Sequence, residues 1–99
     1  MEVENYLVVI EKSVTGYAAS SPDVPGCVAT GRSIEKVAAR MEQALLFHLE
    51  GLAEEGDPLP RAKGTASHRQ ALHDFAGSTF FLTYVTVDLD RFPQLARAK

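Results

Sequence analysis

Hydrophobic residues form short runs at four places along the chain, and each run predicts a β-strand. The runs are rich in β-branched and aromatic residues, which favour strands, and they lie at Tyr6–Ile10, Tyr17–Ser20, Cys27–Thr30 and Phe80–Asp88. The first run is almost entirely apolar, as is typical of a strand buried on both faces at the centre of a sheet. A turn at Gly16 is expected to join the first two strands as a hairpin.

The middle of the chain has apolar residues at helical spacing. They recur every three or four residues from Ile34 to Leu52, which predicts a helix from about Ile34 to Glu54 or Glu55. Ser33 is a suitable N-cap, and Gly56 can close the helix in a left-handed conformation.

A second, shorter helix is predicted between the main helix and the last strand. Ser67 would cap it, and only Leu72 and Phe75 would anchor it to the rest of the protein. The order β-β-β-α-(α)-β predicts an α+β fold, with a single, mostly antiparallel sheet and the main helix packed on one face. If the last strand instead pairs in parallel with the first, the helical crossover should be right-handed.

Composition narrows the classes of function. The 99 residues carry a net charge of -3, and no two of the ten Lys and Arg residues are adjacent, so binding of DNA by this chain alone is not expected. The single Cys27 allows no internal disulfide. The acidic start and the absence of a long apolar run indicate a cytoplasmic protein without a membrane anchor.

Four acids raise the hypothesis of a metal-dependent nuclease. Glu11, Asp23, Asp88 and Asp90 could hold divalent ions if the fold brings them together. The favoured interpretation is simpler: three are solvated acids at strand ends, and Asp23, between two prolines, shapes a turn.

Cysteine and histidine give no better catalytic candidate. Cys27 with His48 would make a nucleophile and a base, but no third residue is available to orient them, and a buried, inert cysteine is favoured. His68 and His73 are five residues apart and so lie on different faces of a helix. We therefore expect no catalytic, cofactor or metal site.

Two surfaces are candidates for binding another protein. The first is the loop from residue 22 to residue 27, because binding residues favour loops held by a rigid scaffold; it comprises Pro22, Asp23, Val24, Pro25, Gly26 and Cys27. The second lies on the flanks of the main helix, at Leu46, Phe47 and Leu49, where either the rest of the chain or a second copy could cover the apolar side chains. A homo-oligomer, most simply a dimer, is the prediction from the second surface. Edge strands of the sheet offer a further route of association.

Four motifs in order resemble one family. They are Y-L-V-V-I-E-K at residues 6–12, G-Y-A-A at 16–19, S-P-D-V-P-G-C at 21–27 and G-R-S-I-E-K-V at 31–37. Together they resemble the HicB-like antitoxin domain, and the P-D-V-P-G-C element between a hairpin and a capped helix is the most specific of them.

The resemblance implies a truncated ribonuclease H-like fold with the last strand parallel to the first. It also implies a function, which is to bind and neutralise HicA, a small RNA-cleaving toxin. Many members also bind operator DNA through an added C-terminal module, but only eleven residues follow Asp88. We therefore expect a HicB-like domain over residues 1–90, a C-terminal tail over 91–99 and no separate DNA-binding domain. The alternatives are a nuclease of ribonuclease H type and a stand-alone oligomeric binding domain with no toxin partner.

Overall fold

A computed structural model describes residues 2–92 and contains one four-stranded sheet with helices on both faces. The strand order is β3-β2-β1-β4, and every neighbouring pair is antiparallel. This confirms the predicted α+β class with an antiparallel sheet and a main helix. The elements are β1 (Val3–Lys12), β2 (Tyr17–Ser20), β3 (Val28–Gly31), α1 (Ile34–Glu54), α2 (Thr65–Asp74), β4 (Phe80–Asp88) and a 3-10 turn (Leu89–Arg91).

Strand β1 lies at the centre of the fold, and its apolar run is buried on both faces, as predicted. Tyr6, Val8 and Ile10 belong to the main core, which they share with α1. Leu7 and Val9 point to the opposite face and pack with Ala71 of α2. The alternation of side chains along one strand thus creates two separate cores.

Strand β4 runs antiparallel to β1, so the expectation of a parallel last strand is wrong. Val3 pairs with Asp88 at one end and Glu11 with Phe80 at the other. The reason is α2, which crosses the second face of the sheet before β4 begins. The chain then enters the sheet beside the end of β1, where the Lys12 N–H donates to the Thr79 carbonyl at 2.9 Å.

Helix α1 has the predicted bounds and caps. The Ser33 hydroxyl accepts the N–H of Lys36 at 3.1 Å, and Gly56 has a φ of 76° just beyond the end of the helix. One stripe of the helix is buried against the sheet, and it consists of Val37, Met41, Leu45, Leu49 and Ala53.

Helix α2 differs from its prediction at the cap and at one of the two predicted anchors. It begins at Thr65, after Gly64 at a φ of 61°, so Ser67 is a buried residue inside the helix and not its cap. Of the two predicted anchors, Leu72 is exposed, whereas Phe75, just past the end of the helix, packs half-buried against the second core as predicted. The fully buried apolar contact within α2 is Ala71. The sequence did not show which face of α2 is buried, because the helix has few apolar residues from which a buried stripe can be identified.

The core continues past the predicted domain boundary at residue 90. Leu89 and Phe92 are both buried in the main core, so the segment from residue 91 begins as part of the packed domain. The rest of the predicted tail, residues 93–99, lies outside the described residues.

Candidate functional site

Asp23 in the predicted binding loop is a buried structural residue. Its side chain is 2% exposed. One carboxylate oxygen accepts the N–H of Leu7 at 2.8 Å, and the other accepts the N–H of Lys63 at 3.1 Å. The carboxylate therefore joins the loop to the central strand and to the segment before α2.

The remaining residues of the loop divide into buried and exposed members. Val24 and Cys27 are buried, Pro22 is half-buried, and Pro25 and Gly26 are exposed. Gly26 has a φ of 88°, which glycine adopts at no steric cost. Only the tip of the predicted loop can therefore touch another protein without rearrangement, and its role in binding stays a prediction.

The predicted surface on α1 is also divided. Leu49 is fully buried in the main core, so placing it on the surface is wrong, and Leu46 is half-buried against the same core. Phe47 is 81% exposed on the side of α1 that faces away from the sheet. The surface predicted for oligomerisation is thus reduced to one exposed aromatic side chain.

The four acids considered for a metal site do not converge. Glu11 and Asp88 lie at opposite ends of the β1–β4 pair, and eight residues of strand separate the two positions by ~27 Å. Asp23 is committed to two backbone N–H groups, and Asp88 accepts the N–H of Asp90. Across residues 2–92 no three His, Cys, Asp or Glu side chains are grouped to hold a metal ion.

Cysteine and histidine have ordinary structural surroundings. Burial raises the pKa of the Cys27 thiol, which disfavours the thiolate that a nucleophile requires. The Nδ1 atom of His68 lies 3.1 Å from the Tyr84 hydroxyl, and His73 lies on the surface beside Asp74.

The two edges of the sheet differ in how well they are protected. Strand β3 has only four residues, and the Arg40 guanidinium donates to the Thr30 carbonyl at 2.9 Å. Strand β4 has nine residues and contains no Lys, Arg or Pro, which commonly protect an edge. Phe81 and Tyr84 on β4 are 42% and 47% exposed. Within residues 2–92, the outer edge of β4 is therefore the longer sheet edge open to another chain.

A basic groove is a surface feature that the sequence did not predict. It is open, with a volume of about 1040 Å³, and lies between the β1–β2 hairpin, the end of β3 and the start of α1. Arg32, Lys36 and Arg40 line one side, and the hydroxyl groups of Ser13, Thr15, Tyr17 and Thr30 are also in its lining. A sequence signal existed for Lys36 and Arg40 alone, since their spacing of four residues places them on one face of α1, whereas Arg32 precedes the helix.

Two glycines allow the close packing beneath this groove. A Cβ atom on Gly16 would lie 2.5 Å from the carbonyl oxygen of Gly31. A Cβ atom on Gly31 would lie 2.8 Å from the backbone nitrogen of Val37 in α1. The first residue of the G-Y-A-A motif and of the G-R-S motif is therefore a glycine with no side chain, and this lets the β1–β2 hairpin, β3 and α1 pack closely.

Comparison with known proteins identifies the family. Residues 6–97 match the family model described as HicB_like antitoxin of bacterial toxin-antitoxin system. The chain belongs to the HicB-like antitoxin family. An uncharacterized 14.9 kDa protein of Haemophilus phage HP1 (strain HP1c1) is 34% identical over 84 residues, which are 85% of this chain and 61% of that protein. The chain thus spans about three fifths of the length of that relative.

Solved HicB structures have the same fold. The N-terminal domain of Burkholderia pseudomallei antitoxin HicB is 26% identical, with a TM-score of 0.71 over 86% of this chain and 99% of that domain. A chain of the HicA3 and HicB3 toxin-antitoxin complex is 29% identical, with a TM-score of 0.60 over 82% of this chain and 94% of that one. The resemblance found in the four motifs is confirmed.

No helix within residues 2–92 has the length and apolar character needed to cross a membrane.

Proposed function

We propose that this chain binds a small RNA-cleaving toxin of the HicA type and neutralises it by covering its active site. The observation that carries the proposal is the similarity to a chain of the HicA3 and HicB3 toxin-antitoxin complex, 94% of which is covered by this fold. The chain then acts as an inhibitor by occupying a surface, and it needs no catalytic group of its own.

The outer edge of β4 is the surface that we assign to the toxin. Unpaired backbone N–H and C=O groups along an edge strand can extend a sheet into a partner. Phe81 and Tyr84 add exposed aromatic area next to that edge, and aromatic residues are enriched among the residues that dominate binding energy. An open nine-residue edge would otherwise favour aggregation, which supports its use as an interface.

The charge of the chain also suits such a partner. A protein that binds and cleaves RNA needs positive charge to hold phosphates, and this chain carries a net charge of -3. Opposite net charges steer two proteins together and raise the rate of association. The β4 edge itself carries little charge, since Asp88 is its single ionisable acid.

Self-association through α1 is a second candidate function, and the exposure of Phe47 is the observation that favours it. A phenylalanine with 81% of its surface exposed is an unusual residue for the solvent face of a helix. Two copies of the chain could bury this side chain against each other through α1. This contact would leave the β4 edge free for the toxin.

Paired lysine substitutions test the assignment of the β4 edge. Thr83→Lys places a charge on the exposed middle of β4, and Phe47→Lys places the same charge on α1. We expect Thr83→Lys to weaken binding to a cognate HicA-type toxin by tenfold or more in calorimetry, about 1.4 kcal/mol. The affinity of Phe47→Lys should equal that of the unaltered chain. Equal affinity of both variants would remove the β4 edge from the interface, and no binding by the unaltered chain would refute the function.

A further inference from the structure

The basic groove concentrates positive charge in an acidic protein. Arg32, Lys36 and Arg40 are all exposed. The ion pairs found within residues 2–92 involve Arg61 and His73 and none of these three cations. Within the same residues, the Arg40 guanidinium makes one hydrogen bond, to the Thr30 carbonyl. A chain with a net charge of -3 therefore presents a local site of opposite sign.

The charges of Lys36 and Arg40 are unfavourably placed in α1. Lys36 and Arg40 are one helical turn apart in α1, where like charges repel each other. Lys36 also lies in the first turn of the helix, where negative charge is favoured and positive charge is not. An anionic ligand in the groove would relieve both effects.

The shape and lining of the groove indicate what kind of anion it suits. Its volume of about 1040 Å³ is far larger than one phosphate ion requires, and Ser13 and Thr15 supply hydroxyl donors on the hairpin side. Tyr17 is half-buried at the same place, and the Lys12 ammonium lies 5.4 Å from the centre of its ring. A positive groove beside an aromatic ring is the combination that binds single-stranded nucleic acid.

We propose that this groove binds a short single-stranded oligonucleotide. Arg32, Lys36 and Arg40 hold successive phosphates. A base stacks on the Tyr17 ring when Lys12, which lies over that ring in the free protein, turns to a phosphate. The close approach of Gly16 to Gly31 keeps the hairpin fixed against α1 before any ligand arrives. A duplex suits this site less well, because its bases are stacked on one another and are not available to stack on Tyr17.

The site is independent of toxin binding. The sheet order β3-β2-β1-β4 places the groove beside β3 and the proposed toxin surface at β4, on opposite edges. The chain can therefore hold an oligonucleotide and a protein partner together, and either activity can fail without the other.

Fluorescence anisotropy with a labelled single-stranded oligonucleotide of about 12 nucleotides, in RNA and DNA forms, tests the proposal. The double variant Arg32→Gln/Lys36→Gln removes two groove cations and keeps Arg40, which holds β3. The control Lys63→Gln/Arg69→Gln makes the same change of charge at exposed positions outside the groove. A matching duplex and inorganic phosphate serve as competitors.

We expect the groove variant to bind at least about tenfold more weakly and the control to bind like the unaltered chain. Since each contacted phosphate contributes ~0.7 to the slope of log affinity against log salt for a single strand, the groove variant should lose ~1.4 from that slope. An equal loss in the control, an unchanged slope or no binding by the unaltered chain would overturn the proposal. So would a duplex that binds as tightly as the single strand, or inorganic phosphate that competes as well as the oligonucleotide.

Discussion

The carboxylate of Asp23 accepts the N–H of Leu7 where β1 has no strand beside it on the β2 side. Strand β2 ends at Ser20, which pairs with Val9, so the N–H of Leu7 lies beyond the end of the β2 ladder. The Asp23 side chain accepts that N–H at 2.8 Å in a fully buried position. Its second oxygen holds Lys63, and one side chain thus connects three parts of the fold.

Replacing Asp23 by alanine should strongly destabilise the protein. Bonds to a charged acceptor contribute ~1.5–3 kcal/mol each, and the N–H of Leu7 would remain buried without a partner. We expect the free energy of unfolding to fall by ~2–4 kcal/mol in urea denaturation.

The matched control is Asp57→Ala, which removes an exposed aspartate whose side chain makes no hydrogen bond or ion pair within residues 2–92. Its effect should stay within about 0.5 kcal/mol. A similar small effect for Asp23→Ala would show that the loop does not depend on this carboxylate.

Alanine at two glycines should act in opposite directions. At Gly31 the new methyl group would lie 2.8 Å from the Val37 nitrogen and 3.1 Å from its Cα, so α1 must move, at a cost of ~1–3 kcal/mol. At Gly51, inside α1, nothing lies within 4 Å, and alanine should stabilise the helix by ~0.5–1 kcal/mol. Thermal unfolding of both variants measures the difference. A stable Gly31→Ala protein would contradict the close contact between β3 and α1.

Stability should fall at high pH because of Tyr6. Burial, with a smaller contribution from Glu4, raises the pKa of the Tyr6 hydroxyl from 10.0 to about 12, and this hydroxyl donates to the Pro60 carbonyl at 2.7 Å. The folded state holds the proton more tightly, so the stabilisation is complete below pH 10 and is lost as the pH rises towards 12.

Comparison with Tyr6→Phe isolates this effect from that of Cys27, whose raised pKa acts in the same direction. The variant should be less stable by ~1 kcal/mol at neutral pH, where the hydrogen bond is lost. The gap between the two proteins should close as the pH rises above 10 and reverse before pH 12, because a raised pKa removes more stability over this range than the hydrogen bond contributes. A constant gap across that range would mean that the hydroxyl titrates equally in both states.

The Cys27 thiol should react slowly in the folded protein. The side chain is buried and its pKa is raised, and both effects reduce the accessible thiolate. Labelling with a thiol reagent at pH 8 should be at least about a hundredfold slower in buffer than in denaturant. Rapid labelling of the native protein would show that the loop around Pro25 opens readily.

Strong local patterns made much of the fold predictable from the sequence. The dense apolar run in β1 indicated burial on both faces, and Ser33 and Gly56 marked the ends of α1 because capping depends on adjacent residues. The direction of β4 was not predictable in this way. It depends on α2 packing against Leu7 and Val9, which lie far from α2 in the sequence. Ala71 is the one buried apolar residue within α2, so the sequence of the helix gives little indication of this contact.

The functional surfaces were harder to predict for a similar reason. A polar residue between two prolines looks like part of a turn, and the sequence gives no sign that Asp23 reaches the backbone of Leu7. Arg32, Lys36 and Arg40 look scattered along the chain and become one groove only when β3 meets α1. Phe47 was predicted correctly to lie off the buried stripe of α1. Leu49 was also predicted to lie off this stripe but is part of it, because the stripe drifts around the helix along its length.

The most direct test of toxin neutralisation is to measure RNA cleavage by a cognate HicA-type toxin while this chain is added in increasing amounts. We predict that cleavage falls to background at a fixed ratio of chain to toxin, because a folded HicB-like domain occupies the toxin surface. Undiminished cleavage in the presence of an excess of the folded chain would contradict the account.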